Sequence, residues 1–174
     1  MIEAILFIAG SLFILRISFP SQRRPGSHGF YRFFAWETIL GLFVLTVHTW
    51  FTRPFAWYQL ISWFLLATSI IPLVAGTRLL RSAGKPVGHF EATTQLVTMG
   101  IYRYIRHPLY ASLLDLTWGI FFKSPAVLEG CLAMIATCFL YATARADEGE
   151  CQLKFGQIYS EYMKTTKRFI PFIF

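Results

Sequence analysis

The run Phe55 to Gly76 holds twenty-two residues without one charge. An apolar stretch that long is enough to cross the hydrocarbon core of a bilayer as a helix, and no soluble core needs one. Four further runs accompany it. Ile2 to Phe19 is interrupted only by Glu3 and Arg16 near its ends, where long side chains reach the interface. Phe33 to Phe51 closes on Thr52-Arg53-Pro54, and Leu109 to Phe122 is followed, after Lys123-Ser124-Pro125, by Ala126 to Ala144. With no basic region ahead of the first run and no small-residue cleavage pattern behind it, the expectation there is a transmembrane helix rather than a signal peptide. The fold class expected is all-α, a polytopic integral membrane protein forming one membrane domain over residues 1–174. Its five spans are expected over 2–19, 33–51, 55–76, 109–122 and 126–144, the second and third forming one hairpin and the fourth and fifth another.

Composition agrees, since 55% of the residues are hydrophobic and only 14% charged, against about a quarter charged in soluble domains. The net charge of +7 would suggest nucleic acid in a soluble protein. Here the basic residues lie between apolar runs, where they set topology and meet anionic lipid, so nucleic acid is not an expected partner. Three cysteines, Cys131, Cys138 and Cys151, have no metal-ligand spacing, and no metal site is expected.

Orientation follows from the basic residues of the connections, because basic loops stay on the cytoplasmic side. Pro20 to Arg32 holds three, Thr77 to Pro108 five and Arg145 to the end five, whereas the opposite side holds Arg53 and Lys123. The expected topology is N-terminus out and C-terminus in, in the inner membrane of a prokaryotic cell. Ala146 to Thr165 reads as a helix on the cytoplasmic surface, and Phe169 to Phe174 as an apolar tail at interface depth.

The segment Thr77 to Pro108 is too long for a plain connection in so small a protein, which points to function. Arg106-His107-Pro108 sits where this loop enters the membrane, with Pro108 suited to the first position of a helix. A positive pair there serves equally well as a lipid anchor, and Tyr102, Tyr104 and Tyr110 equally well as an interfacial aromatic belt. Asp147, Glu148 and Glu150 form the densest acidic cluster among nine carboxylates. They read either as complementing a helix dipole or as binding the amino group or ribose hydroxyls of a nucleoside ligand.

Leu96-Val97-Thr98-Met99-Gly100-Ile101-Tyr102, followed by Arg106-His107-Pro108-Leu109-Tyr110, resembles the signature L-V-T-x-G-x-Y-x-x-x-R-H-P-x-Y of the isoprenylcysteine carboxyl methyltransferase family. A weaker form recurs in the related phospholipid methyltransferases. Asp147-Glu148, then Phe155-Gly156, Tyr159, Tyr162 and Arg168-Phe169-Ile170-Pro171, resemble that family's acidic pair, F-G-x-x-Y-x-x-Y and closing R-x-x-P. The resemblance implies S-adenosylmethionine as cofactor, S-adenosylhomocysteine as product, and a cofactor-binding part over residues 94–174. It implicates Leu96, Val97, Tyr102, His107, Pro108, Leu109 and Tyr110 in holding the cofactor, with Asp147 and Glu148, and with Thr94 and Gln95 at contacting positions. Arg106 and Arg145 are the implied arginines for a substrate carboxylate, and Glu148 or His107 the base if the acceptor has a proton to lose.

The expected activity is carboxyl O-methylation of an isoprenylcysteine-like or other lipophilic acceptor, free or lipidated, drawn from the membrane. Methylation of a phospholipid amine or of a thiol fits the same arrangement. From other classes, a nicotinamide-dependent membrane reductase or a non-catalytic lipid-binding protein remains open. Glu37 and His48 share one face of the second span and read as an interfacial and a packing residue, while Asp115 could line a substrate tunnel.

Overall fold

The computed structural model describes residues 2–87 and 93–173. Among these the chain is helical, with isolated bridges and no strand: α1 Ile2–Gln22, α2 His28–Thr46, α3 Trp57–Ala83, α4 Pro108–Phe121, α5 Val127–Phe155 and α6 Gln157–Thr165. Short 3-10 turns lie at Val47–Thr49 and Gly100–Arg103. Four of the helices, α1, α2 with its trailing turn, α3 and α5, are long and apolar enough to cross a membrane, so the protein is an all-α integral membrane protein. The fourth apolar run is a helix, but at 14 residues it is roughly 21 Å long, short of a hydrocarbon core of about 30 Å.

Several boundaries differ from those expected, among them the second span, which runs from His28 to Thr49 with its trailing turn. α1 continues through Pro20 to Gln22, and α3 passes Pro72 and Gly76 to end at Ala83. α5 does not stop at Ala144. The polar stretch after it contains no proline, and the helix carries Gly149 within it and ends only at Gly156, which sits at φ 60, ψ −134, a conformation costly for any residue with a Cβ. The surface helix expected over Ala146 to Thr165 is therefore split, its first half forming the end of α5 and its second half α6. The last eleven residues of α5, with Arg145, Asp147, Glu148, Glu150 and Lys154, project beyond the apolar, membrane-spanning part.

Packing also departs from two consecutive hairpins. α2 packs on α1 and α5, whereas α3 packs on α4, and α4 in turn touches α5 and α2. The centre is built from Ala35, Ile39 and Leu42 of α2, Ile120 of α4 and Ala133, Ala136 and Leu140 of α5. Alanines at this interface let backbones approach, as helices in a membrane require when lipid is as apolar as leucine. Glu37 of α2 accepts a hydrogen bond from Ser11 of α1 at 2.6 Å, and His48 is exposed with Nδ1 3.8 Å from Glu3. At the far end Lys123 is 1% exposed. Its Nζ donates to Gln59 Oε1 at 3.0 Å and lies 3.1 Å from the Trp63 ring centre, while Gln59 Nε2 donates back to the Lys123 carbonyl at 3.1 Å. This fixes the α4–α5 connection to the start of α3.

With its far end level with those of α3 and α5, short α4 must begin low in the bundle. Pro108 sits against Gly76, where an added Cβ would lie 3.1 Å from the proline ring. α3 continues for seven residues beyond that point, about 10 Å. A well is left over the start of α4, walled by the upper turns of α3 and α5.

Gly119 allows α4 the same closeness to α3, since an added Cβ would lie 2.9 Å from the Leu66 side chain and 3.2 Å from its backbone nitrogen. Gly119→Val is expected to destabilise the protein by roughly 1–3 kcal/mol, read as a lower midpoint of thermal unfolding in detergent.

Candidate active site

The face of α5 that buries Ala133, Ala136 and Leu140 continues upward through Thr143 and Ala144 to Glu148, because positions three and four apart share one side of a helix. Asp147 and Glu148 therefore reach the well by continuing a packing stripe. Opposite them His107 is the N-cap of α4, with Pro108 at its first position. The connection before α4 is held by the chain's C-terminal segment: Lys167 N donates to the Tyr104 carbonyl at 3.1 Å, Arg106 N to that of Lys167 at 2.7 Å and His107 N to that of Arg168 at 3.1 Å.

Glu148, 4% exposed, is the centre of the charge network. Arg106 donates to its Oε1 from Nε at 3.1 Å and Nη2 at 2.8 Å. Arg168 donates from Nε to Oε1 at 3.0 Å and from Nη2 to Oε2 at 3.0 Å. The remaining Arg106 nitrogen, Nη1, donates to the Met163 carbonyl at 3.3 Å and to that of Thr166. One carboxylate thus ties α5, the start of α4 and the C-terminal segment together. Burial alone would raise the pKa of Glu148, but the facing His107, Arg168 and Arg106 outweigh it and hold the group well below the usual carboxylate range.

His107 lies between the two acids. Its Nδ1 is 3.5 Å from Asp147 Oδ2 and its Nε2 is 3.5 Å from Glu148 Oε1, yet Nε2 is buried without a hydrogen-bond partner. Its ring stacks on Tyr110 with centres 5.3 Å apart, and Tyr110 OH donates to Asp147 Oδ2 at 3.2 Å. Burial depresses the pKa of His107, but the two carboxylates facing its ring outweigh that and raise it, which favours the imidazolium. Asp147 is lowered by the same histidine against its own burial.

These groups border a cavity of about 890 Å³, within the roughly 300–1,000 Å³ of sites for drug-sized ligands. Leu96, Val97, Tyr102, Arg106, His107, Pro108, Leu109, Tyr110 and Asp147 all line it. Glu148 stands behind that wall. Thr94 and Gln95 are exposed and outside the lining, their amides bonded to the Gly84 carbonyl at the end of α3. Arg145 is exposed on the other side of α5, and neither it nor Asp115 lines the cavity. Phe174, the last residue of the expected cofactor-binding part, lies outside the described residues.

Some contributors carry no assigned role in the sequence. Arg168 lies within the closing R-x-x-P, and Tyr159 and Tyr162 within F-G-x-x-Y-x-x-Y; the motif was the available signal. Tyr162 OH donates to the Tyr102 carbonyl at 2.6 Å, joining the two motif halves. His28, Arg32 and Trp36 at the start of α2 also line the cavity and had no motif to mark them. His28 is anchored to α5, its backbone nitrogen and Nδ1 lying 2.9 and 2.7 Å from the Glu150 carboxylate.

The family described as phospholipid methyltransferase matches residues 57–157, more than half of the chain. The chain belongs to the phospholipid methyltransferase family. It is a membrane methyltransferase, and this family lies within the isoprenylcysteine carboxyl methyltransferase-like group that the motifs resemble. The match covers α3, α4, α5, the His107–Tyr110 turn and the acidic pair, and ends before Tyr159, Tyr162 and Arg168. No curated protein and no solved structure matches the chain.

Glu148→Gln is expected to cost roughly 3–5 kcal/mol of stability, because it leaves the buried Arg106 guanidinium and the partly buried one of Arg168 without their counter-charge. The pH dependence carries a sign. A carboxyl held below its ordinary 4.5 contributes stability that is complete above that value and lost as the pH falls towards the folded one. The acid limb of the thermal midpoint against pH should accordingly flatten in Glu148→Gln, and an unchanged limb would remove Glu148 from the centre of the network.

Proposed function

We propose that the protein transfers the methyl group of S-adenosylmethionine to a lipid head group, with the cofactor in the cavity between Leu96–Tyr110 and Asp147. The observation that carries this reading is the meeting of Tyr102, His107, Tyr110 and Asp147 around one cavity, although Asp147 follows Tyr110 at long sequence distance. The donor set suits this group: an ionised carboxylate on the wall matches its ammonium and sulfonium charges, and the tyrosine and leucine side chains match its apolar and aromatic surface. When bound, S-adenosylmethionine supplies an electrophilic methyl on a positively charged sulfur.

Each residue then has a separable task. Asp147, kept ionised by His107 and held by Tyr110, is the acid offered to the ligand. Glu148 is a positioning residue, since it acts through Arg106 and Arg168 and stands behind the wall. His107, favoured as the imidazolium, keeps Asp147 aimed and contributes positive charge beside it. Tyr159, Tyr162 and Phe155 close the side nearest α6 with aromatic surface, which excludes water from the reacting centre.

The acceptor reading turns on the arginines and on the family description. A carboxylate acceptor needs no base but is best gripped by a free guanidinium fork. Arg106 already spends its fork on Glu148 and Arg145 is outside the cavity, while Arg32 and Arg81 line it. The family description supports a phospholipid amine over an isoprenylcysteine carboxylate; an amine gives up a proton as its nitrogen takes the methyl, and the ionised Asp147 on the wall is the group placed to receive it. The motifs favour the carboxylate. The proposed orientation places the cavity in the cytoplasm, and its support is that the cavity lies at the end of the bundle carrying most of the lysines and arginines.

Calorimetry with S-adenosylhomocysteine on detergent-purified protein is expected to show binding that weakens roughly ten- to a hundredfold in Asp147→Asn, the worth of one hydrogen bond to a charged group. Folded protein with no binding would overturn methyl transfer. Labelled cofactor incubated with a membrane extract should put label into a base-stable amine lipid, whereas a base-labile ester would move the reading to a carboxylate.

A further inference from the structure

The C-terminal segment has two faces. Its inner face makes the three backbone hydrogen bonds to Tyr104, Arg106 and His107 and sends Arg168 to Glu148. Its outer face borders a second recess, of about 360 Å³, lined by Arg103, Tyr104, Thr165, Lys167 and Phe172. That lining holds two cations and no carboxylate. The nearby Glu161 is itself 2.7 Å from Lys164. Phe172 packs edgewise on Tyr104 with ring centres 6.0 Å apart, and Ile170, Phe172 and Ile173 are 51%, 81% and 75% exposed.

Apolar side chains so exposed on a segment that docks beside the start of a membrane helix belong in the acyl boundary, and cations flanking an aromatic pair belong at phosphate depth. We propose that the recess between Arg103 and Lys167 binds the head group of an anionic membrane phospholipid, and that this contact seats the C-terminal segment which holds Arg168 on Glu148. The lipid would act as a structural ligand outside the cavity. Loss of it would release the Lys167–Arg168 backbone and leave Glu148 one arginine short. The inference does not rest on which acceptor is methylated.

The test is amide hydrogen exchange at Arg106, His107 and Lys167, compared between nanodiscs of phosphatidylcholine and nanodiscs also containing phosphatidylglycerol. Exchange is expected to slow by roughly thirtyfold in the anionic discs, from the attraction of two basic residues to the surface. The effect should vanish in Arg103→Gln/Lys167→Gln, whose two sites are exposed and absent from the core. It should persist in Arg23→Gln/Arg24→Gln, which removes two basic residues from the α1–α2 connection. Equal exchange of the unaltered protein in both discs would overturn the proposal without recourse to any variant. So would a response that survives the first pair of substitutions, one abolished equally by the second, or one reproduced in phosphatidylcholine discs by soluble glycerol phosphate.

Discussion

Glu148 is a buried carboxylate with two guanidiniums and an imidazole around it, and that arrangement is what the site end of the molecule is built on. Its Oε1 alone receives three donors, from Arg106 and Arg168. Taking three charged side chains out of water is costly, and their attraction offsets that cost only when the remaining donors are also satisfied. Arg106 meets the condition with the carbonyls of Met163 and Thr166. Two stretches far apart in the chain, the connection before α4 and the segment after α6, are thereby fixed to α5 at one point.

The division of labour within the acidic pair follows from helix geometry. Asp147 and Glu148 are adjacent, so their side chains leave α5 about 100° apart. One is directed to the cavity wall, the other into the arginines behind it. His107 spans the two at 3.5 Å from each, which couples the ionisation of the acid facing the cavity to that of the acid holding the fold. The shortness of α4 is the other half of the design: a full span would have filled the space that the cavity occupies.

Much of this was legible in advance. The apolar runs gave the helical membrane class and five of the six α-helices, of which four are long enough to span, because a bilayer leaves an apolar chain few ways to satisfy its backbone. The motif residues Leu96, Val97, Tyr102, Arg106 to Tyr110 and Asp147 do gather in one place. The misplaced features are instructive. Helix ends were read from where hydrophobicity stops, yet α5 runs on to Gly156, since a helix ends at a breaker and not at a membrane surface. The hairpin expectation failed for α2 because a short connection constrains where a helix starts but not which neighbour it packs on.

What the sequence by itself determined is the solvent, the helical class and the set of chemical groups at the site, since these depend on local composition and on residue identity within each motif. Which acid faces the cavity, which arginine completes the network and which end of α2 closes the wall were decided only by the tertiary structure. Arg145 and Arg168 are alike as residue types; one projects from the outer side of α5, and the other is carried to Glu148 by a segment bonded to the start of α4. No local pattern encodes that difference, because it arises from contacts between residues twenty or more positions apart.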